Sequence, residues 1–384
     1  MHVMLALPSS ERGGCEEYAI RIGLHLRSRG HAVTVAVPQV AGTASIRSDC
    51  GAAGMQTTPW PADHGATCTR DVDEHVAEIA SVLAALAPDR VVVVAPWPDT
   101  MSRPCLAPVP ALAAAARTGI RTCAVFQLAH HPVALDGRTA EFGRRALRDQ
   151  VWCAVSQQNR TALARTFHVD ESSIRVVANG VEPYPLPASE ARRAAQRRLR
   201  RRLRLADDTR ILLSVGRLVR SKGHRVVVEA LSMLPPTEEH HLLIAGVGDD
   251  EPALRMAIEE HGIRDGVSLL GHRGDVRELL LSADAFVFMS TAEGASFALL
   301  EAMEAACPVV VADAASNAEL VRPETDGIVV PAGDATALVK ALRRLARHDD
   351  ASARLACSAA TRVRRDYPAS AMLDGVTAAL RLPE

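Results

Sequence analysis

Aromatic residues make up only 3% of the 384 positions. So few rings argue against a surface built to stack on polysaccharide or single-stranded nucleic acid. Lysine is nearly absent, occurring only at Lys222 and Lys340, so arginine carries almost all the positive charge. The net charge of −1 gives no global reason to expect nucleic acid or an acidic membrane as partner. No apolar run is long enough to span a bilayer. The opening MHVMLALPSS is too short for a secretory signal and reads as a first strand. The eight cysteines form no Cys-x-x-Cys pair, so free thiols in a reducing cytoplasm are expected. No short-period repeat is present, which excludes a solenoid.

What the chain does have is alternation. Strand-like runs at His2–Leu7, Ala32–Val37, Arg90–Ala95, Thr122–Leu128, Trp152–Ser156 and Arg175–Ala178 are separated by helical stretches such as Glu16 to Arg29 and Glu74 to Ala87. The pattern breaks at Pro183, Pro185 and Pro187, followed by the Arg-dense segment Arg192 to Arg204. It resumes at Ile211–Val215 and continues through Leu242–Ala245, Val267–Leu269, Ala285–Met289, Val309–Ala312 and Ile328–Val330. Strands and helices at this spacing predict parallel sheets covered on both faces. The expected division is an α/β domain over 1–182, a linker over 183–206, a second α/β domain over 207–367 and a terminal helix over 368–384.

The chemistry concentrates in the second half. Glu293 and Glu301 lie within EGASFALLEAMEAACP, between the strand-like DAFVFM and PVVV. In a strand–loop–helix–strand unit, ligands gather at the carboxyl end of the strand and the amino end of the helix. Glu301 sits roughly 7–8 Å along the helix from its start. Its neighbours Leu299, Leu300 and Met303 predict a half-buried position, where a carboxylate needs partners. Earlier, SVGRLVRSKG places Gly216, Arg217 and Lys222 in one loop after a strand. A glycine permits close backbone approach, and two cations five residues apart can flank a diphosphate. Alone, that loop also fits an ordinary turn with surface cations. Glutamates beside such a loop suggest a ligand rich in hydroxyls as well as phosphate.

Five segments stand in one order: LLSVGRLVRSKG, LLIAGVGDDEPAL, ADAFVFMSTAEGASFALLEAM, PVVVADAASNAELV and DGIVVPAGDATALVKAL. Together they resemble the carboxyl-terminal domain of the retaining GT-B glycosyltransferases of family 4, with Glu293 and Glu301 on its E-x7-E motif. In the first half, GGCEEYAIRIGLHLRSRGHAVTV and RVVANGVEP are similar to other parts of that family. The resemblance implies an α/β GT-B fold of two Rossmann-like domains with a cleft between them, and a terminal helix returning to the first. It implies that Arg217 and Lys222 bind the donor diphosphate, with Gly216 permitting the approach. Glu301 would hold the nucleotide ribose. Glu293, with Gly294, Ser296 and Phe297, would contact the transferred sugar, and Gly14 would approach the diphosphate from the first domain. Neither metal nor cofactor is implied, the nucleotide-sugar being a co-substrate, and Glu293 is not a covalent nucleophile.

The chain departs from the family in places. Where a histidine is expected at the end of a strand of the first domain stands Gln127, with His130 and His131 three and four residues later. His130 is taken as the catalytic histidine, with His131, a replacement by Gln127 and a structural role as alternatives. Ala314-Ala315-Ser316-Asn317 replaces a loop where the family prefers a Gly-Gly pair, and Ala306 stands where glycine is common. Asp71-Val72-Asp73 matches a metal-binding Asp-x-Asp pattern but precedes a helix, where acids serve as caps. His240-His241 has no third ligand nearby. The Arg192–Arg204 cluster reads as a solvated linker helix, with a lipid-binding face as the rival.

The implied activity is transfer of a hexosyl group from a nucleotide-sugar, a UDP-sugar such as UDP-N-acetylglucosamine, to a soluble small-molecule acceptor such as a natural-product aglycone. The alternatives are a GDP-mannose or UDP-sugar transferase acting on lipid or polysaccharide at a membrane surface, and an epimerase or phosphorylase of the same fold. A non-catalytic nucleotide-sugar binder is a further rival. A cytoplasmic protein that binds no nucleic acid is expected.

Overall fold

A computed structural model describes residues 1–7, 13–61, 72–95, 108–128, 141, 144–146, 148–186, 189–235 and 238–382. The chain divides into two units, one of Met1–Asn179 with Ser370–Glu384 and one of Gly180–Ala369. Each is built on one parallel sheet.

The first unit holds β1 (His2–Ala6), β2 (Ala32–Val37), β3 (Gln56–Pro59), β4 (Arg90–Ala95), β5 (Arg121–Phe126), β6 (Gln150–Ala154) and β7 (Ile174–Val176). Their order is β3-β2-β1-β4-β5-β6-β7, and every pairing is parallel. Runs such as RVVVVA are apolar throughout because both faces of a parallel sheet are covered. Trp152 lies at the centre of the core between Phe126 and Phe167, with ring centroids 5.1 and 4.7 Å away. Two elements of this unit give little signal in the sequence. The helix Ala44–Ala52 has few large apolar residues, and β3 is a largely exposed edge strand of sequence QTTP.

The second unit holds β8 (Arg210–Val215), β9 (His240–Ala245), β10 (Val267–Gly271), β11 (Ala285–Phe288), β12 (Val309–Asp313) and β13 (Ile328–Pro331). The order is β10-β9-β8-β11-β12-β13, again parallel throughout. The direction of strand addition reverses between β8 and β11. In such sheets the carboxyl ends of the two strands at the reversal diverge and leave a crevice for ligand.

The segment expected as a solvated linker is instead a working part of this unit. Within the helix Ser189–Leu203, Arg200 is buried and its Nη2 pairs with Asp284 at 2.6 Å, while Nε donates to the Thr209 carbonyl. Arg192 donates to the Ala305 carbonyl. Only the outward arginines, Arg193, Arg197, Arg198, Arg201, Arg202 and Arg204, are exposed. The helix turns an arginine face to the protein as well as to water, so charge density alone did not reveal which side packs.

Candidate donor site

The loop after β8 is laid down backbone against backbone. Gly216 N donates to the Ala245 carbonyl and Leu218 N to the Val247 carbonyl, extending the β8–β9 ladder past the strand ends. A Cβ on Gly246 would lie 1.8 Å from the Gly216 oxygen, so no larger residue fits that crossing. His224 braces the same loop from below. Its Nε2 is 3.2 Å from the Arg217 carbonyl, which can only accept, so Nε2 carries the proton and Nδ1 accepts from the Ser214 hydroxyl at 3.1 Å. Burial lowers the His224 pKa to about 4, so the ring is neutral at physiological pH and adds no charge to the loop.

The β8 loop then meets the β11 loop. Gly223, with φ of 70°, is packed so closely that a Cβ would sit 2.2 Å from the Met289 carbonyl oxygen. Thr291 N and the Ser290 hydroxyl both donate to the Ser221 carbonyl, at 2.8 and 3.2 Å. This seam brings Lys222 Nζ to 2.5 Å from Glu293 Oε1, with both side chains largely buried. The pairing spans 71 residues of sequence and was not foreseen from it.

Beyond Glu293 the chain passes the buried Gly294 and enters the helix Phe297–Glu304. Ser296 caps it, its hydroxyl oxygen accepting from Leu299 N at 3.4 Å. Glu301 is half-buried one turn inside, and Arg217 is exposed at the head of its loop. Thus Gly216, Arg217 and Lys222 follow β8, while Glu293, Gly294, Ser296, Phe297 and Glu301 follow β11, the two strands at the reversal of the sheet. Gly14 is the first residue of the helix Gly14–Ser28 in the other unit. His130 and His131 lie outside the described residues. Gln127 is buried after β5, its Oε1 accepting from Asn179 Nδ2 at 2.9 Å.

Ser214, Ser290 and His224, which hold the loops in place, carry no motif that would have marked them for a site role. His240 Nδ1 lies 2.8 Å from the Glu238 carbonyl and His241 Nε2 2.8 Å from the Ser268 hydroxyl, so each has a structural partner. Asp73 pairs with Arg117 at 3.3 Å, and Asp71 lies outside the described residues. Among the described residues no three His, Cys, Asp or Glu side chains gather as a metal site would require, the cysteines are free, and no helix is long and apolar enough to cross a membrane.

Residues 195–362 match the family described as glycosyl transferases group 1. The matched residues lie within the second unit. The D-inositol 3-phosphate glycosyltransferase of Xylanimonas cellulosilytica is 31% identical over 236 residues, covering 58% of this chain and 55% of that protein. The lipopolysaccharide glucosyltransferase WaaG of Escherichia coli is 32% identical over 127 residues, covering 33% of this chain and 34% of that one. The chain therefore spans about half or less of these relatives. Among solved structures, Anabaena HepE, crystallised with UDP and glucose, superposes with a TM-score of 0.80 at 18% identity, covering 99% of each chain. The similarity establishes the fold class, GT-B, with its two Rossmann-like domains.

Proposed function

We propose that the protein is a retaining, metal-independent glycosyltransferase that moves a hexosyl group from a UDP-sugar to a small hydroxylated acceptor. The observation that carries this reading is the pairing of Lys222 with Glu293 where the two loops beside the sheet reversal meet, with Arg217 at the head of one loop and Glu301 on the helix following the other. Arg217 and Lys222 hold the diphosphate, Glu301 takes the ribose hydroxyls, and Glu293 takes hydroxyls of the sugar. The anomeric C–O bond to the diphosphate breaks while the acceptor oxygen bonds to the same face of the same carbon. The acceptor's proton passes to the departing phosphate oxygen. The cations stabilise the charge that develops on that oxygen, the part a divalent ion plays in other transferases. Glu293 already bonds Lys222, which suits a hydroxyl-positioning group better than a covalent nucleophile. For the first unit, the family resemblance implies a donor-binding role for Gly14 and a catalytic role for His130, with Gln127 and His131 as alternatives to His130.

A UDP donor is supported by the nucleotide bound in HepE, and a soluble polyol acceptor by the inositol phosphate in the name of the Xylanimonas relative. A second reading, transfer onto a lipid-linked or polysaccharide acceptor at a membrane surface, is favoured by the name of the Escherichia coli relative. A panel of nucleotide-sugars screened by ligand-observed NMR in excess EDTA tests the donor assignment. Saturation transfer to both uracil and hexose protons is expected. Arg217→Ala should lower turnover sharply and Glu301→Ala should weaken donor binding. Wild-type donor affinity and turnover in both variants would defeat the site assignment. Co-sedimentation with acceptor-loaded liposomes separates the two acceptor classes.

A further inference from the structure

In the loop after β12, Ala315 is followed by the polar residues Ser316 and Asn317, and the structure shows what they do. Ser316 and Asn317 are both fully buried. Asn317 Nδ2 donates to the Ser290 carbonyl at the end of β11 and to the Ala312 carbonyl within β12, each at 3.1 Å. Two carbonyls can only accept, so the amide nitrogen must face them and the side chain has one orientation. The backbone pairing of these strands reaches only Phe288 and Val311, so the amide fastens the chain just past the end of their ladder, two residues beyond Phe288 and one beyond Val311. The Ser316 hydroxyl donates to the main-chain carbonyl of Glu293 at 3.3 Å. Asn317 and Ser316 thus hold both ends of the segment 290–293, whose other side is tied to Ser221 and Lys222.

We propose that Ser316 and Asn317 are positioning residues that set the donor sugar. They fix the height and tilt of Glu293 over the crevice, so that its carboxylate meets the hydroxyls of one hexose and misses those of its epimers. The inference rests on the donor-site reading above. Its effect falls chiefly on the sugar half of the donor, since Arg217 is braced separately by His224 and by the β9 loop, although Lys222 pairs with Glu293. Asn317 Oδ1 is buried with no partner among the described residues, so the side chain is kept for its two donated bonds at the cost of an unpaired acceptor.

The test separates nucleotide from sugar. UDP affinity by calorimetry, and kcat and KM for UDP-glucose, UDP-galactose and UDP-N-acetylglucosamine, are measured for wild type, Ser316→Ala and Asn317→Ala. Ser316→Ala removes a single hydroxyl and keeps the test informative should Asn317→Ala fail to fold. The expected result is UDP affinity within about twofold of wild type, with kcat/KM for the preferred sugar lowered roughly tenfold, the scale of one hydrogen bond. Discrimination among the three sugars should narrow. Ser316→Thr, which keeps the hydroxyl, should restore selectivity. Unchanged sugar selectivity in a Ser316→Ala protein that still binds UDP overturns the positioning role. A parallel loss of UDP affinity in Ser316→Ala also overturns it, by pointing to general loosening. Failure of the wild type to bind any nucleoside diphosphate would instead refute the donor-site reading itself.

Discussion

The two edges of the second sheet treat their carboxylates differently. At the amino edge, Asp284 accepts from Arg200, Gln196 and the Ile211 N–H, at 2.6, 3.2 and 2.7 Å. Glu304, at the end of the helix that crosses back, accepts from Arg277, Arg364 and the Tyr184 N–H, at 2.7, 2.9 and 3.0 Å. At the carboxyl edge, Glu293 is as well buried, yet among the described residues its carboxylate meets one donor, Lys222. An ammonium has three protons and a carboxylate about four acceptor positions. The amino edge therefore spends its polar capacity on the fold, and the carboxyl edge holds some in reserve. A saturated buried acid marks structure, and an undersaturated ion pair beside a sheet reversal marks a place for ligand.

The contrast can be broken at either edge, and the largest effect belongs to the amino one. Asp284→Ala strands the buried Arg200 guanidinium and should lower unfolding free energy by about 3–5 kcal/mol in urea titrations, with UDP affinity unchanged in the protein that remains folded. Lys222→Ala should do the reverse. Turnover should fall by about 10²–10³-fold, equivalent to roughly 3–4 kcal/mol of transition-state stabilisation, while the loss of stability is smaller than in Asp284→Ala, since Glu293 gives up one donor where Asp284 gives up three. If Lys222→Ala instead costs as much stability as Asp284→Ala, the two edges do not differ in kind.

His224 sharpens the contrast through pH. Its folded pKa, lowered by burial to about 4, lies below the unfolded value of 6.5. The stability it contributes is therefore complete above pH 6.5 and lost as pH falls toward 4, by up to roughly 3 kcal/mol. A His224→Asn variant, compared with wild type across that window, should show the shallower slope. The smallest effect is at Ala306, which follows the helix Phe297–Glu304 with φ of 49°, a left-handed position that favours glycine. Ala306→Gly should raise stability by about 1 kcal/mol and leave turnover unchanged.

The sequence made the sheets legible because buried parallel strands are continuous apolar runs, and β2, β4 and β8 stand out for that reason. Elements that bury small or few side chains did not show. The helix Asp349–Asp366 packs through Leu355, Ala356, Ala359, Ala360 and Val363, an interior stripe too slight to register against its charges. At the site, glycine and charge spacing pointed to Gly216, Arg217, Lys222, Glu293 and Glu301, because loop chemistry is local. The Lys222–Glu293 pair and the Asn317 fastening were not legible, since each joins loops from different strands and depends on strand order. The alanines at 306 and 315 both adopt positive φ, a left-handed conformation that favours glycine and that their residue type does not announce.

The most direct test of the donor site is calorimetric titration of UDP, in excess EDTA, into wild type and Arg217→Ala. The account predicts binding by wild type without divalent metal and a loss of at least tenfold in the variant, the scale of one charge-assisted hydrogen bond. Absence of binding in wild type, or equal affinity in the two proteins, would contradict it.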